Sequence, residues 1–185
     1  MINEVLQETE QRMAKSVKAF ENEMAKVRTG RASAALLDNV RVDYYGTSTP
    51  LNQMASISVP ESRLLTVKPW DASVINDVEK AILKANLGVT PSNDGKLIRI
   101  SIPPLTEERR KEIVKNVNQT CEEYKVAVRN IRRDSNDNLK DLQKEGEVSE
   151  DDSFKAQKSV QDLTDKHIQK LDEIFAEKEK EILEV

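Results

Sequence analysis

Leu97-Ile98-Arg99-Ile100-Ser101-Ile102-Pro103-Pro104-Leu105-Thr106-Glu107-Glu108 changes its hydrophobic period midway, and the fold turns on that change. Up to Ile102 apolar and polar residues alternate, the pattern of a strand with one buried face. Pro103-Pro104 then fixes φ and removes two backbone donors, which ends regular pairing. Thr106 stands as a helix N-cap, with Glu107 and Glu108 in a first turn where the helix dipole favours negative charge. Beyond it Ile113, Val117, Cys121, Tyr124, Val128, Ile131, Ser135, Leu139 and Leu142 form a heptad-like stripe. The spacing predicts a helix of about 35 residues, about 50 Å long at 1.5 Å per residue, closing near Gly146.

Two more helical runs flank this one. Over residues 2–28 the apolar positions Ile2, Leu6, Met13, Val17, Phe20, Met24 and Val27 make one stripe, and Thr29-Gly30 supplies the stop. Ser149-Glu150-Asp151-Asp152 opens the last run with a capping-box-like pattern. Val160, Leu163, His167, Leu171, Ile174 and Ile182 carry its stripe. Each stripe is too narrow to hold a helix alone, and three of them bury one another in a long antiparallel three-helix bundle.

Between Gly30 and Pro103 the texture is different. Val40-Arg41-Val42-Asp43-Tyr44-Tyr45, Ile57-Ser58-Val59 and Leu64-Leu65-Thr66-Val67 read as strands. Residues 73–86 read as a helix, with Val74, Val78, Ile82 and Leu83 on one side. The predicted class is therefore α+β: a discontinuous bundle of residues 1–30 and 104–185, with a small β/α/β domain inserted over 31–103. The chain crosses between the domains twice, at Gly30-Arg31 and at Ile102-Pro103-Pro104. These crossings read either as a hinge or as ordinary helix boundaries.

Composition narrows the function. Charged residues make up 34% and aromatics 4% of the 185 residues, which suits helices that bury a stripe and solvate the rest. One cysteine excludes an internal disulfide and a multi-thiolate metal site, and fits a reducing compartment. No apolar run approaches the ~20 residues of a membrane span, and the start carries no leader pattern, so a cytoplasmic, membrane-free protein is expected. His167 and Cys121 both fall on apolar stripes, where a structural role is the default. With no phosphate-cradling glycine loop and no zinc spacing, the expectation is a non-enzyme needing neither cofactor nor metal.

The basic residues carry more. From Arg109 to Arg133 there are eight basic against three acidic residues, whereas from Glu145 onward there are thirteen acidic against six basic. At about 100° per residue Lys125, Arg129 and Arg132 fall within about 60° of one another, with Arg133 at the edge. Arg28 flanks the first stripe and Arg31 follows it across the junction. Lys125 and the arginines so placed are expected to bind RNA phosphate, the guanidinium groups bidentately, although a solvated basic face fits the same spacing.

Arg28-Thr29-Gly30-Arg31-Ala32-Ser33, Tyr44-Tyr45-Gly46-Thr47, the Pro103-Pro104 to Lys111 segment, Val128-Arg129-Asn130-Ile131-Arg132-Arg133-Asp134 and Gly146-Glu147-Val148-Ser149-Glu150-Asp151-Asp152 together resemble the bacterial ribosome recycling factor family. They occur in the family's order and span the chain. Ala34, Ser135 and Trp70 depart from the residues usual there. The resemblance implies an L-shaped, tRNA-sized monomer whose bundle binds large-subunit ribosomal RNA after termination. Elongation factor G, hydrolysing GTP, would then drive subunit separation and mRNA release. It assigns RNA contact to Arg28, Arg31, Arg129, Arg132 and Arg133, and hinge roles to Gly30, Arg31, Ile102, Pro103 and Pro104. The competing expectation is a helical scaffold that pairs with partner helices and touches no RNA.

Overall fold

The computed structural model describes residues 1–184. In chain order its elements are α1 (Ile2–Ala25), β1 (Arg41–Tyr44), β2 (Thr47–Pro50), β3 (Ala55–Glu61), β4 (Leu64–Pro69), α2 (Ile75–Lys84), β5 (Pro91–Asn93), β6 (Ile98–Ser101), α3 (Glu107–Lys144) and α4 (Glu150–Leu183). They form two compact units, one of Met1–Val27 with Glu107–Glu184 and one of Arg28–Thr106. The division falls three residues outside the expected bounds on each side, so Arg28 and Pro104 group with the inserted unit.

The first unit is the bundle. Thr9 meets Ser135 and Glu23 meets Tyr124, so α1 runs antiparallel to α3. Cys121 lies against Leu171, and Ser153 against Leu139, so α4 also runs antiparallel to α3. Along α3 the buried set Ile113, Val117, Cys121, Val128, Ile131, Ser135 and Leu139 follows the predicted stripe. Along α1 it is Val5, Thr9, Met13, Val17, Phe20 and Met24 that are buried, in place of Ile2 and Leu6 near the start. Steps of four dominate that set, as a period of 3.6 requires.

Helix ends follow local chemistry. α1 ends at Ala25, short of Arg28, because the Lys26 and Val27 amides bond back to Glu23 and Met24 and tighten the last turn. After α3 the Glu147 amide reaches the Leu142 carbonyl at 2.9 Å and Gly146 reaches Gln143 at 3.1 Å, with Gly146 at φ +77°. This left-handed closure needs glycine and turns the chain back into α4. Ser149 Oγ then accepts the Asp152 amide at 3.1 Å as the N-cap.

The second unit holds a two-stranded sheet, β1-β2, and a four-stranded antiparallel sheet ordered β3-β4-β6-β5. Its core joins Leu37, Val42, Leu65, Val67, Ile98 and Ile100 with Val78 and Ile82 of α2. Leu83, expected on the same side, faces solvent instead. Pro60 sits in β3 where the pairing with β4 shifts register, and Pro91 lies in the edge strand β5. Both are places where a missing amide costs the ladder little.

Candidate nucleic-acid interface

The α3 stripe decides where its basic residues point. Val128, Ile131 and Ser135 are buried against the other helices, which leaves Arg133 exposed and Arg129 and Arg132 half-exposed at the margin. Arg132 Nη1 donates to Gln161 Oε1 on α4 at 3.3 Å. That neutral partner orients the guanidinium without cancelling its charge. Arg129 and Arg133 have no hydrogen-bond or ion-pair partner among the described residues, and the adjacent Asp134 carboxylate is taken by Arg12 at 3.0 Å. Three guanidinium groups thus share one helix face with their charge uncancelled.

Lys125 is different. Its side chain is only 14% exposed, and its ammonium lies 2.6 Å from Asp172 and 3.1 Å from Glu122. The hydrogen bond to Asp172 leads the causes that hold its pKa above the ordinary lysine range. This cation ties α3 to α4 and offers little to an outside phosphate. The basic count at the start of α3 is discounted in the same way, since Arg109 pairs with Glu112 at 2.9 Å and Lys111 with Glu107 at 3.0 Å.

Arg28 and Arg31 belong to the second unit. Arg28 is exposed, with Nη2 donating to the Leu87 carbonyl at 3.1 Å, and Arg31 is exposed just after Gly30. Gly30, at φ +77°, packs on Leu105: an added Cβ would stand 3.3 Å from its Cγ. The two connecting segments therefore touch. Each is also pinned to the β3–β4 turn, Ala32 N to Ser62 O at 2.7 Å and Ile102 N to Arg63 O at 2.8 Å.

The residues set aside as structural take structural places. His167 is buried, with Nδ1–H donating to the Leu163 carbonyl at 2.7 Å. Cys121 is buried among the helices, and desolvation pushes its thiol pKa up, away from the reactive thiolate. Among the described residues no cluster of His, Cys, Asp or Glu is arranged to hold a metal, and no helix is long and apolar enough to cross a membrane. Gln161 is the site residue the sequence did not reveal. It lies 29 residues from Arg132 and on another helix, so no local spacing could have linked them.

The chain has close relatives. A family model described as ribosome recycling factor matches residues 20–183. The ribosome-recycling factor of Desulforapulum autotrophicum is 69% identical over 185 residues, covering both chains completely. That of Bacillus licheniformis is 58% identical with the same coverage. A solution structure of the ribosome recycling factor superposes with a TM-score of 0.76 at 38% identity, over 100% of this chain and 98% of the other. Another match, at a TM-score of 0.64 and 46% identity over 99% of each chain, comes from a description of the T. thermophilus ribosome recycling factor and the E. coli elongation factor G bound to the E. coli post-termination complex.

Proposed function

The chain belongs to the ribosome recycling factor family, and from that membership we propose that it dismantles the post-termination ribosome together with elongation factor G. One observation carries this reading: full-length similarity to a factor described on the post-termination complex with that partner. The bundle grips large-subunit RNA through Arg129, Arg132 and Arg133, whose uncancelled charge supports phosphate contact. Arg28 and Arg31 add contacts from the second unit, while Lys125 works inside the bundle. The factor itself supplies no hydrolysis; GTP is consumed on elongation factor G, and the subunits part and release mRNA.

The second unit moves on its two connections. Because Ala32 and Ile102 are bonded to the β3–β4 turn, they travel with the sheet. We place the pivot on the helix side of these bonds, where the connections through Gly30-Arg31 and Pro103-Pro104 meet the ends of α1 and α3. Purified post-termination ribosomes, incubated with elongation factor G and GTP, test the reading by sedimentation. Addition of this protein converts them to free subunits. No increase in free subunits, with an active partner factor, would overturn it.

A further inference from the structure

On α4 an acidic side chain stands beside the arginine face and takes none of its cations. Arg132 of α3 meets Gln161, and Lys125, two turns earlier, meets Asp172. Between these two rungs of an antiparallel pair lie Arg129 on α3 and Asp165 on α4. No ion pair joins Asp165 to any arginine among the described residues. A carboxylate next to a phosphate-binding surface repels the ligand, so its presence there needs a reason.

Gln161 itself holds that carboxylate. Gln161 Nε2 donates to Asp165 Oδ1 at 2.9 Å, one turn along α4, and Gln161 Oε1 accepts from Arg132 Nη1 at 3.3 Å. The two ends of the amide are not interchangeable here. A carboxylate oxygen only accepts and selects the NH2 end, whereas a guanidinium only donates and selects the carbonyl. One orientation satisfies both neighbours. A turned amide would set NH2 against the guanidinium and oxygen against the carboxylate, and both bonds would be lost. Without Asp165 the amide is held only by Arg132, through the longer of the two bonds.

We propose that Asp165 is a positioning residue of the RNA face, acting on Arg132 through the Gln161 amide. The relay passes on orientation without an ion pair, so Arg132 keeps its charge for phosphate. A guanidinium already directed loses less freedom when it closes on its ligand. That Arg132 meets RNA is taken from the recycling reading, and the role of Asp165 rests on it.

Equilibrium binding of the full chain to purified post-termination ribosomes tests this, because the sign of the effect is diagnostic. An acid that only repels RNA would be better absent. Asp165→Ala is instead expected to weaken binding about threefold, the loss from one side chain no longer oriented. Asp165→Asn keeps an acceptor for Gln161 and drops the charge, so it should bind at least as tightly as the unaltered chain. In a Gln161→Leu background the relay is gone, and Asp165→Ala should tighten binding about twofold. Tighter or unchanged binding by Asp165→Ala in the unaltered chain would overturn the role of Asp165 alone. So would an equal loss in both backgrounds, or a loss matched by Asp165→Asn. Arg132→Ala with undiminished affinity would overturn both that role and the RNA contact of Arg132 beneath it.

Discussion

Four basic residues of α3 looked alike in the sequence, and their partners separate them. Arg132 faces a neutral amide, so removing its guanidinium takes a cation from the surface and leaves no carboxylate stranded. Arg132→Ala is expected to weaken ribosome binding by about 1–3 kcal/mol and to lower the salt slope by about one, with helicity unchanged. Equilibrium binding across a salt series checks both. Lys125→Ala should do the reverse, costing the bundle about 1 kcal/mol in urea unfolding and leaving ribosome affinity within about twofold. The folded pKa of Lys125 is raised, so its contribution is complete below the ordinary lysine value of 10.5 and is lost only as pH climbs through the raised one. Between pH 6 and 9, about the working range, the cost of the substitution is therefore expected to be constant. The sequence showed where Lys125 sits on the helix. Its decisive partner, Asp172, is on α4 and became visible only when the helices were packed.

At the scale of elements, periodicity revealed the helices because each buries a long stripe, and it failed where burial is polar or pairing is short. β2, Thr47-Ser48-Thr49-Pro50, and β5, Pro91-Ser92-Asn93, have no apolar alternation to read and exist because a stronger strand pairs beside them. Thr9, Ser153 and Thr164 were passed over in the same way, since a hydrophobic stripe has no place for a hydroxyl. Their burial is offset by bonds to backbone carbonyls. Thr9 Oγ1 donates to Val5 O at 2.6 Å, which leaves Ser135 Oγ as the donor across the 2.6 Å contact between the two hydroxyls. Proton count makes this a two-link chain joining α1 to α3. Thr9→Val breaks both links and is expected to cost about 1–2 kcal/mol. Adding Ser135→Ala removes the stranded hydroxyl, so the double variant should cost less than the two single changes combined, by about 1 kcal/mol. Urea unfolding of the four proteins closes the cycle; strict additivity would mean the hydroxyls do not communicate.

For the molecule as a whole, the question is whether the two units divide the work, with the bundle binding and the inserted unit driving separation. The bundle's core is drawn from α1, α3 and α4, so it has the means to fold without residues 28–106. Helix lengths set the condition for testing this. With Glu23 beside Tyr124, the end of α1 lies level with the middle of α3. The start of α3 is then about 15 residues further on, or about 22 Å along the axis. A flexible Gly/Ser linker of about 12 residues has a root-mean-square span of about 19 Å and a full reach of about 40 Å, enough to join Val27 to Glu107 without strain. A chain with residues 28–106 replaced by that linker is expected to unfold cooperatively with the helical signal of three packed helices. It should pellet with ribosomes and keep most of the salt dependence, because Arg129, Arg132 and Arg133 are retained. With elongation factor G and GTP it should release no subunits, since the moving unit is gone. Subunit release by this shortened chain would place the driving contact on the bundle, and the two connections at Gly30 and Pro103-Pro104 would then be helix boundaries and nothing more.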